Sequence, residues 1–309
     1  MKDDTVPDLS VLVLPDRDPA RFVADVRAAE AMGVRTVWTY DHLTWQPLQD
    51  APWHAAVPML AAAAVSTTRV RLGTQVATPN YRHPVTFAKE IVTLDHLSGG
   101  RLEIGVGAGA ESSDSRVLGD PQRTLGERFA RFAEWLGLLD HLLTHEVTTV
   151  RGPRYSAVEA RRIPGCVQRP RVPLTVGAAG PRALRLAARH GQAWVTYGPY
   201  RGRDDPEEWF AALAAQGAAL DEALAAEGRP PGAVRRIAQV ALDVTWPFRG
   251  AGAYADFAGR LAELGFDEIA VHWPRHDDGR GVPEHALAYL AAVHLPGPAD
   301  STRKAEHDE

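Results

Sequence analysis

The sequence predicts a (β/α)8 (TIM) barrel, on three observations. Short β-branched and aromatic runs alternate with longer helical patterns along the chain, which marks βαβ units and a parallel sheet. Eight such runs and eight such patterns can be counted, the number a closed barrel needs; a doubly wound sheet would need no eighth pair. The run Val37-Trp38-Thr39-Tyr40 stops abruptly at Asp41-His42. A buried strand ending there hands a carboxylate and an imidazole to the C-terminal face of the barrel, the face that carries the chemistry in this architecture.

Strands are expected at 9–14, 36–40, 70–76, 102–106, 174–176, 193–196, 237–244 and 268–272. Helices are expected between them, at 19–32, 53–66, 84–97, 123–144, 181–190, 206–227, 252–264 and 283–293. Asp18-Pro19, His83-Pro84 and Asp205-Pro206 open helices, because proline fits the first turn. Gly33, Gly191, Gly228 and Gly265 close them. Residues 146–172, rich in Arg, Pro and Gly, break the rhythm between strands four and five and are expected to form a hairpin or excursion over the catalytic end. A single domain is expected over 1–296, with the polar residues 297–309 as a disordered tail.

Composition narrows the function classes. The chain has 309 residues, 45% of them hydrophobic, and a formal net charge of -5. That small charge speaks against a nucleic-acid or membrane-surface binder. No apolar stretch approaches the roughly 18 residues of a membrane span. Met1-Lys2-Asp3-Asp4 leads into a strand-like run, not the apolar segment of a signal peptide. The lone cysteine, Cys166, excludes an intrachain disulfide and cannot make a zinc site by itself. These features fit a reducing, cytoplasmic setting. No histidine pair has the HExxH spacing, and no metal is expected.

The candidate site residues gather where strands end. A histidine alone after a strand is as a rule structural, and Asp41 alone serves as well as an N-cap. Together at the end of a barrel strand they become catalytic candidates, His42 for proton transfer near neutral pH. Thr74 and Gln75 leave strand three near the mouth. In Gly105-Val106-Gly107-Ala108-Gly109-Ala110, alternate glycines either let backbone approach a flat ring or a phosphate, or simply make a tight exit. This is not a dinucleotide fingerprint, which would open a helix. Gly177-Ala178-Ala179-Gly180-Pro181-Arg182 joins a strand to a helix start, where free amides, the helix dipole, Arg182 and Arg185 favour an anion. It follows strand five, whereas barrel phosphate sites usually follow strands seven and eight. Trp38, Trp45 and Trp53 are either packing residues or, for Trp45 just beyond His42, a wall over a substrate. His272 and His276 flank Trp273 at the end of strand eight and are placed to line the mouth.

These segments together resemble the bacterial-luciferase-like family of flavin- and deazaflavin-dependent oxidoreductases. The resemblance covers about residues 9–196, more weakly to 295. It is carried by Ala29-Glu30-Ala31-Met32-Gly33, Asp41-His42, Arg71-Leu72-Gly73-Thr74, Leu94-Asp95-His96-Leu97-Ser98-Gly99-Gly100-Arg101-Leu102 and the segment 177–191. It implies a luciferase-like barrel with a planar redox cofactor across its mouth, coenzyme F420 or, alternatively, FMN. It implies Asp41 near the ring and His42 as proton donor or acceptor. It also implies a non-proline cis peptide at Gln75-Val76 in a strand-three bulge behind the ring, beside Thr74. Gly107, Ala108 and Gly109 match the family's glycine loop, and Gly177, Ala178, Ala179 and Gly180, with Arg182, its phosphate turn. Trp45, Glu111 and His272 are the substrate-side candidates. The family's sugar-phosphate dehydrogenases carry a Glu directly after the last loop glycine, where this chain has Ala110, with Glu111 one later. No substrate-phosphate cluster is evident. The resemblance therefore implies an F420-dependent oxidoreductase that transfers a hydride to or from a small organic substrate, reducing a C=C or C=N bond or a pterin-bound one-carbon group. The alternatives are an FMN-dependent monooxygenase and a non-catalytic flavin-binding protein. A homodimer through the helices after strands two and three, at 61–64 and 87–94, is expected.

Overall fold

Eight parallel strands form the frame of the computed structural model, which describes residues 6–110, 113–199, 201–275 and 282–294. They are β1 (Asp8–Leu12), β2 (Thr36–Thr39), β3 (Arg71–Ala77), β4 (Leu102–Gly107), β7 (Leu174–Gly177), β8 (Ala193–Thr196), β9 (Arg235–Gln239) and β10 (Glu268–His272). The remaining two, β5 (Val147–Arg151) and β6 (Ser156–Arg161), form a separate antiparallel pair. The parallel strands close in the order β1-β10-β9-β8-β7-β4-β3-β2, as the alternation predicts. Glu111, His276 and the segment 297–309 lie outside the described residues.

The helices are α1 (Pro19–Met32), α2 (Ala56–Ser66), α3 (Pro84–Leu97), α4 (Ser113–Val117), α5 (Leu125–Thr144), α6 (Pro181–His190), α7 (Pro206–Ala226), α8 (Ala251–Glu263) and α9 (Ala286–His294). Their starts follow the sequence signals. The Asp18 carboxylate accepts from Ala20 N–H to cap α1, and Thr124 and Glu127 form a reciprocal capping box on α5. Their apolar faces pack on the outside of the barrel. The interior is filled by Leu12, Leu14, Trp38, Tyr40, Ala193, Val195, Ile237 and Ala270. The barrel is thus a packed core, not a pore.

The floor of the barrel, where the strands begin, is locked by charge. Glu103 accepts from Thr175 Oγ1 and Arg235 Nη2, both at 2.5 Å, and pairs with Arg71 at 3.4 Å. Glu268 accepts from Ser10 Oγ at 2.5 Å and Trp38 Nε1 at 3.3 Å, and pairs with Arg35 at 3.3 Å and Arg235 at 3.1 Å. Both carboxylates are fully buried, so their stability depends on these partners.

Three expectations need correction. The strand expected at 237–244 ends at Gln239, and residues 241–245 turn aside to line a cavity at the mouth. The single helix expected at 123–144 starts at Leu125, and a short additional helix, α4, precedes it. The insertion does form a hairpin, but one laid along the outside of the barrel against α3 and α5, its turn at Tyr155 meeting His83 and Arg131 at the starts of those helices. Lys89 Nζ of α3 donates to Arg161 O and Ile163 O, and Gln168 bonds Asp95 and the Leu102 carbonyl near the floor. The hairpin follows the C-terminal end of α5, and a helix after a barrel strand runs back towards the floor. On the helices proposed for dimer contacts, Ala63, Ala64, Phe87, Ile91 and Leu94 are buried within the chain itself.

Candidate active site

At the mouth, the Asp41-His42 pair is divided between two sets of partners. Asp41 is fully buried. Its Oδ1 accepts from Arg82 Nη2 at 2.7 Å and from the Tyr81 hydroxyl, and its Oδ2 accepts from Arg82 Nε at 3.0 Å. Arg82 is braced by Glu90 at 2.9 Å and lies over the rings of Tyr81 and Phe87. Burial would lower the Arg82 guanidinium, but the Asp41 carboxylate outweighs it and the net shift is upward. Burial pushes the Tyr81 hydroxyl well up, and the neighbouring Asp41 adds to the shift. Asp41 is therefore a neutralised anchor with every oxygen engaged, which does not suit the catalytic role expected of it.

His42 points to Asp114 on α4. Its Nδ1–H donates to Asp114 Oδ2 at 2.7 Å, and Asp114 Oδ1 accepts from Leu43 N–H at 2.8 Å. A carboxylate that receives a backbone N–H on one oxygen acts as acceptor at the other, which puts the imidazole hydrogen on Nδ1 and the lone pair on Nε2. The His42 side chain is 22% exposed and that of Asp114 is not exposed at all. Trp53 Nε1 donates to the His42 carbonyl at 3.0 Å, holding the backbone. Asp114 was not foreseen from the sequence, since it lies 72 residues from His42 on a helix with no apolar periodicity to announce it.

A second polar chain crosses the mouth. Gln75 Nε2 donates to Gln239 Oε1 at 2.6 Å, Gln239 Nε2 donates to the Tyr40 oxygen at 2.9 Å, and the Tyr40 O–H faces His272 Nε2 at 2.9 Å. The Oε1 of Gln75 is buried and has no partner. His272 is 2% exposed, and burial pushes its imidazole down to about 4, so it is neutral and accepts from Tyr40. The substrate-side placement expected of His272 is corrected, because the ring is covered by Tyr40 and belongs to the wall.

The strand-three expectations meet in one irregular exit. A cis peptide joins Gln75 and Val76, and the β3–β4 register shifts between Thr74 and Ala77. Thr74 Oγ1 donates to Gly105 O at 2.9 Å and is spent within the sheet. Val76 is half-buried between the two glycine turns. A Cβ on Gly107 would meet Val76 Cγ2 at 2.8 Å, and one on Gly177 would meet Val76 Cγ1 at 3.4 Å. Gly107 and Gly177 pair directly across β4 and β7. Gly109 has φ +72° and packs against Asn80, where a Cβ would clash at 2.4 Å. Ala108 sits between them, half-buried. Ala179 and Gly180 are exposed, and Gly180 starts α6 without a side-chain cap. Ala178 is buried, with its carbonyl bonded to Trp194 Nε1 at 2.8 Å. Arg182 stacks on Phe129 of α5 at 4.8 Å.

Above Tyr40 lies a cavity of about 580 Å³. Trp45, Pro47, Tyr197 and Leu242 form much of its wall, and Trp45 meets Tyr40 edge-on at 5.2 Å. The cationic lining residue, Arg203, pairs with Asp243 at 3.2 Å. Tyr81, Arg82, Tyr197, Arg203 and Gln239 carried no sequence signal beyond their residue type. Among the described residues there is no group of three or more His, Cys, Asp or Glu able to hold a metal ion, and no helix is long and apolar enough to cross a membrane.

Comparison with known proteins agrees with this fold. A family profile described as luciferase-like monooxygenase matches residues 6–245. An F420-dependent glucose-6-phosphate dehydrogenase of Beutenbergia cavernae is 41% identical over 210 residues, which is 66% of this chain and 60% of that protein. The chain thus spans less than two thirds of that relative's length. Among solved structures, F420-dependent tetrahydromethanopterin reductase from Methanopyrus kandleri superposes with a TM-score of 0.75 at 18% identity, over 94% of this chain and 99% of that one. An F420-dependent secondary alcohol dehydrogenase bound to an F420-acetone adduct superposes with a TM-score of 0.78 at 16% identity, over 93% of this chain and 98% of that one. At these identities the two structures attest the fold alone.

Proposed function

The chain belongs to the luciferase-like monooxygenase family, and on that premise we propose that it is an oxidoreductase that uses coenzyme F420 to reduce a C=C or C=N bond of an uncharged organic substrate. The observation that carries this reading is the His42 imidazole, locked by Asp114 with Nε2 left as its working atom, at the mouth of the barrel.

Two features support a flat heterocycle at the mouth. Gln75 Oε1 is a buried acceptor that lacks the donor a ring N–H would give it. Gly107 flanks Val76 so closely that a Cβ there would crowd the platform behind such a ring. The uncapped start of α6, at Ala179 and Gly180, with Arg182 beside it, suits a phosphate. When bound, coenzyme F420 supplies the carbon that gives or takes the hydride. The chain's own residues do the rest. Arg82 cancels the Asp41 charge, so that no bare carboxylate lies beside the ring site. Trp45, Tyr40 and Tyr197 wall the substrate from water. His42 Nε2 exchanges the proton that accompanies the hydride, and Asp114 stabilises the imidazolium when the proton is on the ring.

The substrate assignment departs from the sugar phosphates of the sequence relative. The aromatic cavity carries its Arg203 already paired with Asp243, which favours an unsaturated, uncharged molecule over a phosphate ester. The proposal places the protein in solution and includes a homodimer, to be read from its mass by light scattering. Fluorescence-quenching titrations with F420 and with FMN, followed by turnover of enone and imine substrates with reduced F420, test the reading. Binding of F420 with reduction of such substrates is expected. Tight binding of FMN alone, with oxygen consumption, would assign the runner-up monooxygenase reading instead.

A further inference from the structure

A second cavity, of about 430 Å³, opens beyond the glycine loop, bounded by Gln46, Asn80, Ala110 and the segment 115–128. It carries three guanidinium groups, from Arg116, Arg123 and Arg128, against one lining carboxylate among the described residues, Asp120. Asp120 is shared between Arg123 at 3.1 Å and Arg131 at 3.6 Å. The Arg116 carbonyl accepts from Gly119 N–H, but its guanidinium makes no ion pair or hydrogen bond to any described residue. Arg128 has a single long bond, from Nη1 to the Arg123 carbonyl at 3.5 Å, and its Nε is buried with no partner. Like charges gathered in a concavity repel, and a buried guanidinium N–H without an acceptor costs free energy. An anion with several carboxylate or phosphate oxygens offsets both terms, since the guanidinium fork binds such groups two oxygens at a time.

The position of the cavity says which part of a ligand it meets. Asp114 and Arg116 lie two residues apart on α4, about 200° around a helix, so the side that holds His42 is turned away from the side that faces the cavity. A helix with its side chains is about 10 Å thick. The anion bound here is therefore remote from the reacting atoms and belongs to a long molecule. The route to it starts at the ring site. Ala110 ends the glycine loop and lines the cavity, and Asn80 bonds its carbonyl at 3.3 Å. Phe129, next to Arg128, stacks on Arg182 of the phosphate turn.

We propose that this arginine cavity receives the chain of glutamyl carboxylates that coenzyme F420 carries beyond its phosphate. The proposal rests on the deazaflavin reading above and adds a residue-level site to it. Substrate phosphate is the other source of such an anion, and the test separates them.

The test is a fluorescence-quenching titration with two natural forms of the cofactor, one with a long glutamyl tail and one that ends before the first glutamate. The wild-type protein is expected to bind the long form about tenfold more tightly at low ionic strength, with the preference fading as salt rises. The double substitution Arg116→Ala with Arg128→Ala is expected to abolish that preference and leave binding of the short form unchanged. Arg123 stays intact because it braces Asp120. Equal binding of both forms by the wild-type protein overturns this proposal and leaves the deazaflavin reading standing. Binding of neither form overturns both. If the double variant instead loses a thermal shift induced by glucose 6-phosphate, the anion is a substrate group and the proposal fails.

Discussion

At the floor of the barrel, Glu103 and Glu268 are enclosed by Arg35, Arg71 and Arg235, with Ser10, Trp38 and Thr175 adding hydrogen bonds. Every strand of the barrel except β8 gives or adjoins a member of that network. At the mouth the same barrel again buries charge, but two side-chain atoms, Gln75 Oε1 and His42 Nε2, face neither a hydrogen-bond partner nor an opposite charge. Charge enclosed by opposite charge stabilises a closed shape, even though Glu268 Oε2 and the Nε atoms of Arg35, Arg71 and Arg235 meet their partners as ion pairs at 3.1–3.4 Å and not as hydrogen bonds. Charge held on one side only is primed for a visitor. The difference separates the end that holds the fold from the end that is open to a ligand.

The largest effect is expected at the floor. Glu268→Leu takes one of two carboxylate partners from Arg35, which keeps Asp8, and from Arg235, which keeps Glu103, leaves the buried Ser10 and Trp38 donors without their acceptor, and should cost about 3–5 kcal/mol. Thermal unfolding should fall by about 10 °C or more. Cofactor titration of the folded fraction should be unchanged, since the lesion is at the opposite end. A loss under about 1 kcal/mol would show that the floor is not a lock.

At the mouth the reverse pattern is expected. His42→Ala should cut turnover by about 10²–10⁴ with little change in cofactor quenching. Turnover equal to wild type would remove the proton-transfer role. Asp114→Asn should lower kcat by about a hundredfold, because an amide can present its N–H to the ring and select the wrong tautomer. A purely structural role would lower the thermal midpoint along with kcat.

The smallest effect concerns His272, which sharpens the boundary between wall and site. Its imidazole lies at about 4 in the folded protein, below its ordinary value of 6.5. The folded state therefore favours the neutral ring. That contribution is complete above about pH 6.5 and is lost as pH falls towards 4, where the unfolded chain takes up the proton first. At pH 5 the loss is about 2 kcal/mol. Chemical denaturation of wild type and His272→Gln between pH 7 and 4 checks it, with the variant expected to show a flatter decline.

The reading of the sequence succeeded where the signal was local and periodic. Alternation in steps of two and of 3.6 residues marked the strands and helices, and glycine and proline marked their ends. It overran at 237–244 because residues 240–244 keep a strand-like apolar pattern while leaving the barrel to line the cavity. It missed α4 because five residues with no apolar stripe carry no periodicity to detect.

The sequence alone settled the barrel, the strand ends at which His42, Gln75, Gly107 and Gly177 stand, and the start of α6 at Gly180-Pro181. These follow from neighbours a few positions away, whose spacing fixes which way a side chain or an amide points. Only the tertiary structure chose the partners. Asp41 is claimed by Arg82, 41 residues on, and His42 by Asp114, 72 residues on. Gln75 reaches Gln239 across 164 residues. Burial makes a polar group seek whichever partner the closed barrel brings within 3 Å or so, and that choice is made by chain closure, not by spacing along the chain.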